Sequence, residues 1–213
     1  MASQKNVSIT NSRYLVNSFL QEKLVKCIRG TSGNAILDVG CGTKPYKGFF
    51  QEPNSYVGID RRADTADVKS IGEFLPFADS SFDTVLCTQV LEHVENSEKV
   101  LAEFNRILED DGVLILSTHG IWIEDHEPTD YWRWTLQGLE KLFEDADFEV
   151  LETYSMDSVS SLLQILCLYF PRRGTGKVFH SILNLVSKLF KSEYKRPKIF
   201  VCHVLKGKKK AHN

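Results

Sequence analysis

Long apolar runs are missing from this 213-residue chain: the longest, 162–170, is interrupted by Gln164 and is too short to cross a bilayer as a helix. A Cys-x-x-Cys pair is missing too. The five cysteines, Cys27, Cys41, Cys87, Cys167 and Cys202, are odd in number and scattered. That spacing suggests neither a disulfide framework nor a zinc site, and a reducing, cytoplasmic setting is the simpler reading. The first residues, Met-Ala-Ser-Gln-Lys-Asn, hold no apolar stretch and no cleavage site, so no signal peptide is expected. No internal repeat is present. What is there is ordinary for a globular protein: 42% hydrophobic and 25% charged residues. The length suits one α/β domain, 1–213, carrying a helical insertion at 158–193.

The net charge of −2 hides an asymmetry. Residues 171–213 carry twelve Lys or Arg and one acid, Glu193, whereas residues 1–170 carry fourteen bases and twenty-seven acids. A basic C-terminal part means either an anionic partner or a solvated face ending in a loose Lys208-Lys209-Lys210 tail. Of the anionic partners, a membrane surface is kept and nucleic acid is not expected.

The most informative stretch is 36–46, Ile-Leu-Asp-Val-Gly-Cys-Gly-Thr-Lys-Pro-Tyr. Ile36, Leu37 and Val39 suit a short buried parallel strand, in which Asp38 is out of place unless paired. Gly40 and Gly42 follow; glycine permits a sharp turn and lets a ligand approach bare backbone. In an open α/β sheet such a loop lies at the carboxyl edge, where ligands bind. The dinucleotide fingerprint Gly-x-Gly-x-x-Gly fails here at its third glycine, because Pro45 occupies that place. A bare Gly-x-Gly can also mark only a tight turn. A second strand, 56–59, ends at Asp60, twenty residues after Gly40. An acid there can accept hydrogen bonds from ribose hydroxyls; its alternative is a helix N-cap or an ion pair with Arg61 or Arg62.

Helical spacing is read at 12–28 and at 97–108, the latter capped by Ser97. Strands are expected at 35–39, 56–59, 67–69, 84–88, 113–117, 148–154 and 198–205. The fifth is entered through an Asp110-Asp111-Gly112 turn, and the last lies next to the sixth. Thr135 is expected to cap a helix running to 143. This order predicts an open, doubly wound, mostly parallel α/β sheet.

The stretch from Leu37 to Tyr46 resembles the first motif of the class I S-adenosylmethionine-dependent methyltransferases, in which an acid precedes Gly-x-Gly. The segment Leu75-Pro76-Phe77-Ala78-Asp79-Ser80-Ser81-Phe82-Asp83 is similar to the one that leads into that family's fourth strand. Gln89-Val90-Leu91-Glu92-His93-Val94 is similar to the one that follows it. The resemblance covers residues 33–155 and the final strand. It implies a seven-stranded Rossmann-like sheet with the last strand antiparallel, and S-adenosylmethionine as cofactor. It also implies a cofactor set: Asp38, Gly40, Cys41, Gly42, Thr43 and Tyr46 from the first loop, Asp60 and Arg61 after the second strand, Gly72 and Glu73 near the adenine, and Thr88 and Gln89 beside the methionine half. The family often has an acid four residues before Leu75. Ile71 stands there instead, which leaves adenine to the backbone near Gly72 and to Glu73.

Methyl transfer from a sulfonium is an in-line displacement in which positioning carries much of the rate, so no fixed triad is expected. His93 and His119 are the candidate bases, each with a purely structural alternative. No metal is expected, since the His119 to His126 spacing fits no zinc pattern. His126, Asp130, Tyr131, Trp132 and Arg133 are the candidate acceptor wall; the alternative is an aromatic wedge that anchors its own loop. That loop resembles one in some methyltransferases of surface-glycan pathways. The expectation is a methyltransferase acting on a small molecule or glycan, at oxygen. A non-catalytic cofactor-binding protein and an NAD-binding oxidoreductase are the alternatives. In the insertion, Ile182, Leu183, Leu185, Val186, Leu189 and Phe190 share a helical face, with Lys188, Lys191, Lys195 and Arg196 at or beyond its end. An interfacial helix on an anionic membrane has that pattern, and so does a helix covering the sheet or a homodimer partner.

Overall fold

The computed structural model describes residues 8–31, 33–51, 53–124, 128–169, 175–189 and 200–211. In chain order the elements are α1 (Tyr14–Ile28), β1 (Ala35–Val39), β2 (Ser55–Asp60), β3 (Val68–Lys69), β4 (Phe82–Thr88), α2 (Ser97–Ile107), β5 (Leu108–His119), α3 (Leu136–Asp145), β6 (Phe148–Ser155), α4 (Ser158–Tyr169), α5 (Thr175–Leu189) and β7 (Cys202–Lys209). They build one seven-stranded sheet in the order β3-β2-β1-β4-β5-β7-β6. Strands β1 to β5 pair in parallel, and β7 runs antiparallel to both of its neighbours. This is the Rossmann-like sheet with a reversed last strand that the sequence led us to expect.

The central strands are apolar on both faces, and their pleat divides them between two cores. Leu37 and Val39 of β1, Val85 and Cys87 of β4, and Leu114 and Leu116 of β5 pack under Val100, Leu101 and Phe104 of α2 and Leu139 and Phe143 of α3. The alternate residues Ile36, Leu86 and Ile115 face the other way, against Leu20, Leu24, Cys27 and Ile28 of α1. Between these elements, Arg106 of α2 holds the 75–79 segment by donating to the Leu75 carbonyl at 3.1 Å and the Phe77 carbonyl at 2.9 Å and pairing with Asp79 at 2.7 Å. Asp83 locks the entry of β1, accepting from the backbone N–H groups of Asn34 and Ala35 at 2.9 Å each.

Several local expectations need correction. The fifth strand begins at Leu108 rather than 113, because the pairing with β4 continues past an irregularity that absorbs the expected turn; Asp111 lies there at φ 66°. The N-cap of α2 is Asn96, whose side chain accepts from Lys99 N at 2.9 Å, and not Ser97, which is the first helical residue and is buried. Thr135 does cap α3, accepting from Gly138 N at 3.1 Å. The last strand runs from Cys202 to Lys209, so Lys208 and Lys209 are not a loose tail. Lys208 pairs with Asp111 at 2.7 Å, and Lys209 donates to the Leu108 carbonyl at 2.7 Å.

Asp38 does find a partner. It is 1% exposed, and the Tyr56 hydroxyl of β2 donates to its Oδ2 at 2.6 Å. Its Oδ1 has no hydrogen-bond partner among the described residues. Burial pushes its pKa up to about 6, against the opposing pull of Tyr56 and Lys44.

Asn96→Ala should cost about 1 kcal/mol in chemical denaturation, whereas Ser97→Ala should cost clearly less; equal costs would contradict the assigned cap. A folded pKa raised to about 6 means that the unfolded chain ionises Asp38 first as pH rises. Stability from this group is therefore fully present below about pH 4 and is lost as pH climbs to about 6. The stability difference between Asp38→Asn and the wild type should then grow by ~2–3 kcal/mol in favour of the variant between pH 4 and pH 7. A difference independent of pH would show that Asp38 is not held in this way.

Candidate functional site

Neighbouring β1 and β4 send their connections in opposite directions across the sheet, and a crevice opens where they part. A cavity of 510 Å³ lies there, at the carboxyl ends of the parallel strands. Its size suits a cofactor-sized ligand, for which pockets run about 300–1,000 Å³. Gly40, Asp60, Arg61, Gly72, Glu73, Gln89, His93 and Tyr131 are the expected site residues that line it. Asp38, Cys41, Gly42, Thr43, Tyr46, Thr88, His119, Asp130, Trp132 and Arg133 do not line it. His126 falls outside the described residues.

The two glycines do different work. A Cβ on Gly40 would lie 2.1 Å from Val90 Cγ2, so the close approach of the two loops demands glycine. At Gly42 the φ of 47° favours glycine, while a Cβ would meet nothing within 4 Å, which leaves bare backbone facing open space. Asp60 ties this loop to the second strand: Gly42 N donates to Oδ2 at 3.1 Å, and Arg62 N and Ala63 N donate to Oδ1 at 2.7 and 2.8 Å. Burial raises the Asp60 pKa, but these backbone donors outweigh it and the net shift is downward. The carboxylate is thus ionised and fixed at the cavity wall, with acceptor capacity left over. Of the two alternatives to a ribose role, the backbone bonds are cap-like, and no ion pair to Arg61 or Arg62 is seen among the described residues. Burial also pushes the Cys41 thiol to about 11 and the Tyr46 hydroxyl to about 12, so neither supplies an anion near neutral pH.

Gln89 ends β4 in a left-handed conformation, φ 55°. Its N–H donates to the Ser117 carbonyl at 2.8 Å and its Nε2 to Ser117 Oγ at 3.1 Å. Strain of this kind, held in place by its neighbours, concentrates at binding sites. His93 stands on the following turn, with Nδ1 3.0 Å from the Thr129 carbonyl. A carbonyl only accepts, so Nδ1 carries the proton and Nε2 is the basic nitrogen.

The second histidine is placed differently. His119 ends β5 and does not line the cavity; it is stacked on Trp122 at 4.5 Å, with Nδ1 2.6 Å from Glu92 Oε1. Glu92 is fully buried, and Thr118 Oγ1 donates to its other oxygen at 2.9 Å. Its carbonyl accepts from Tyr131 N at 2.8 Å, so the same residue bolts the aromatic loop to the sheet. Sequence reading missed Glu92; the Glu-His pair after the fourth strand was legible, but only its histidine was taken up. Within the loop, Trp132 Nε1 donates to the Val94 carbonyl at 2.8 Å, and the ring packs against Trp134 at 5.8 Å. Arg133 pairs with Asp130 of its own loop and donates to the Ile123 carbonyl at 3.1 Å. Trp132 and Arg133 thus make contacts to their own loop and its surroundings, and of the described residues of the expected acceptor wall Tyr131 lines the cavity.

A family model for a methyltransferase domain matches residues 13–153 of the chain. Thiol S-methyltransferase TMT1B of Mus musculus is 32% identical over a segment that covers 45% of this chain and 47% of that relative. The match thus spans about half of the relative's length. Among solved structures, the [4+2]-cyclase SpnF superposes with a TM-score of 0.64 at 15% identity, covering 97% of this chain and 86% of its own. An S-adenosylmethionine-dependent methyltransferase from Archaeoglobus fulgidus superposes with a TM-score of 0.59 at 16% identity, covering 94% and 96%. At those identities the likeness is one of fold. The family model spans most of the chain, which therefore belongs to the class I S-adenosylmethionine-dependent methyltransferases, with S-adenosylmethionine as its cofactor.

Proposed function

We propose that this chain transfers a methyl group from S-adenosylmethionine to an acceptor seated at the His93 and Tyr131 side of the cavity. The observation that carries this reading is a single cavity lined together by Gly40, Asp60 and Gly72 and by Gln89, His93 and Tyr131. When bound, the cofactor supplies an electrophilic methyl group on a sulfonium that needs no further activation. In this reading Asp60 accepts from the ribose hydroxyls, Gly72 and Glu73 border the adenine, and Gln89 flanks the methionine half. Asp38, with one buried oxygen unpartnered, is suited to receive a donor arriving along the glycine loop. His93 would take the proton that an acceptor hydroxyl gives up on methylation. The Thr129 carbonyl keeps the ring in the tautomer that this requires. Glu92 and His119 serve as a buried brace behind the aromatic loop. The acceptor is a small molecule or glycan, methylated at oxygen. Peripheral membrane contact through 158–193 and a homodimer are held as proposals alongside it.

Asp60→Ala should weaken S-adenosylhomocysteine binding by ~1.5–3 kcal/mol in calorimetry, and Gly42→Val should weaken it more, since the side chain enters the ligand's approach. Unchanged affinity in folded variants would overturn the cofactor assignment. His93→Gln should lower turnover by about 10²-fold, the usual scale of lost general-base catalysis, while S-adenosylhomocysteine affinity stays the same. Trp132→Ala should instead lower thermal stability, and a selective loss of turnover without destabilisation would return Trp132 to the acceptor wall.

A further inference from the structure

His93 is a base with no carboxylate behind it. In a triad that activates a hydroxyl, a buried carboxylate on Nδ1 stabilises the imidazolium that forms when Nε2 takes the proton. Here Nδ1 faces the Thr129 carbonyl at 3.0 Å, a partner that fixes the tautomer and carries no charge. The neighbouring acid is engaged elsewhere. Glu92 turns its carboxylate away from His93, with Oε2 accepting from Thr118 Oγ1 at 2.9 Å and Oε1 standing 2.6 Å from His119 Nδ1. Among the described residues no carboxylate pairs with His93.

The lining around His93 has a matching character. The His93 N–H donates to the Val90 carbonyl at 2.8 Å, which closes the turn that carries the ring. That turn is stapled to 128–131 by the Thr129 contact and by Tyr131 N, which donates to the Glu92 carbonyl at 2.8 Å. From these two segments Val90, Val94, Pro128 and Tyr131 line the cavity, together with Thr129 and Glu95. Trp132 Nε1 and the Arg133 guanidinium, which could have read a sugar, bind carbonyls of the protein instead, and neither residue lines the cavity. A glycan would bring several hydroxyls into this lining with few partners for them, and a polar group desolvated without a partner weakens binding. A flat apolar body would instead pack against the valines, the proline and the Tyr131 ring.

We infer that the acceptor is a phenol, an aromatic ring whose hydroxyl proton is taken by His93. The inference rests on the catalytic reading above and narrows its acceptor to this class. Acidity is the physical reason. In model compounds an imidazole has a pKa of ~6.5 and a phenol one of ~10, so moving a proton from phenol to imidazole is uphill by a factor of about 10³–10⁴. For a hydroxyl as weakly acidic as water, at ~15.7, the factor is about 10⁹. The larger gap calls for the carboxylate-backed imidazole that is not found here, whereas a positioned imidazole can close the smaller one. The O–H electron pair stays on the phenol oxygen, the proton passes to His93 Nε2, and the products are the aryl methyl ether and S-adenosylhomocysteine.

Calorimetry on the full chain with S-adenosylhomocysteine, followed by turnover with S-adenosylmethionine, tests this. Phenol should bind the S-adenosylhomocysteine complex, and Tyr131→Ala should weaken that binding about two- to tenfold, the worth of one ring contact. Methyl glucoside and cyclohexanol should not bind. Turnover with phenol should exceed turnover with cyclohexanol by at least about 10²-fold. A phenol that ionises in neutral water without help, 4-nitrophenol, separates the base from the rest of the site. His93→Gln should slow phenol about 10²-fold and 4-nitrophenol less than about twofold. Methyl glucoside or cyclohexanol turned over as fast as phenol overturns the inference. So does an equal loss on both phenols in His93→Gln, or transfer to an alkyl thiol in preference to phenol. S-adenosylhomocysteine bound with no phenol bound or methylated also overturns it and leaves the cofactor assignment standing, whereas no S-adenosylhomocysteine binding overturns both.

Discussion

The constraint on which the structure depends is the burial of β1, β4 and β5 on both faces. A strand with no solvent face must find apolar cover on each side, so α1 is drawn to one face while α2 and α3 take the other. Within that sheet β1 hands on to β2 on one side and β4 to β5 on the other, so the connections leaving them part and the cavity opens between them. The site is therefore a consequence of strand order. Its chemistry comes from the few residues that close the strand ends.

Those closing residues are held by backbone contacts more than by each other. Asp60 gathers three N–H groups and fixes the glycine loop to the end of β2. Gln89 is locked in a left-handed turn through Ser117. Glu92 reaches both ways, through its carboxylate to Thr118 and His119 and through its carbonyl to the aromatic loop. The hairpin follows a different rule. Its buried polar groups bond to the start of α1 and to Val201, Leu163 and Ile165 pack on the core, and Leu162, Leu166, Val178, Ile182 and Leu185 remain exposed.

The positions of most strands and the glycine loop were legible in the sequence because each rests on local chemistry. Apolar runs mark buried parallel strands, paired glycines mark a turn that a ligand can approach, and an acid twenty residues on marks the next strand end. The roles within the Glu92 to Arg133 region were not legible. Which of His93 and His119 faces the cavity, and whether Trp132 and Arg133 meet a ligand or their own loop, depends on contacts between residues as many as 38 apart in sequence. The same limit applied to the insertion. Its helical periodicity was plain, but periodicity shows that a helix has two faces and not which one the fold will claim. Only the tertiary structure decided that, because the carbonyls and N–H groups around α1 needed Gln164 and Asn184 as partners.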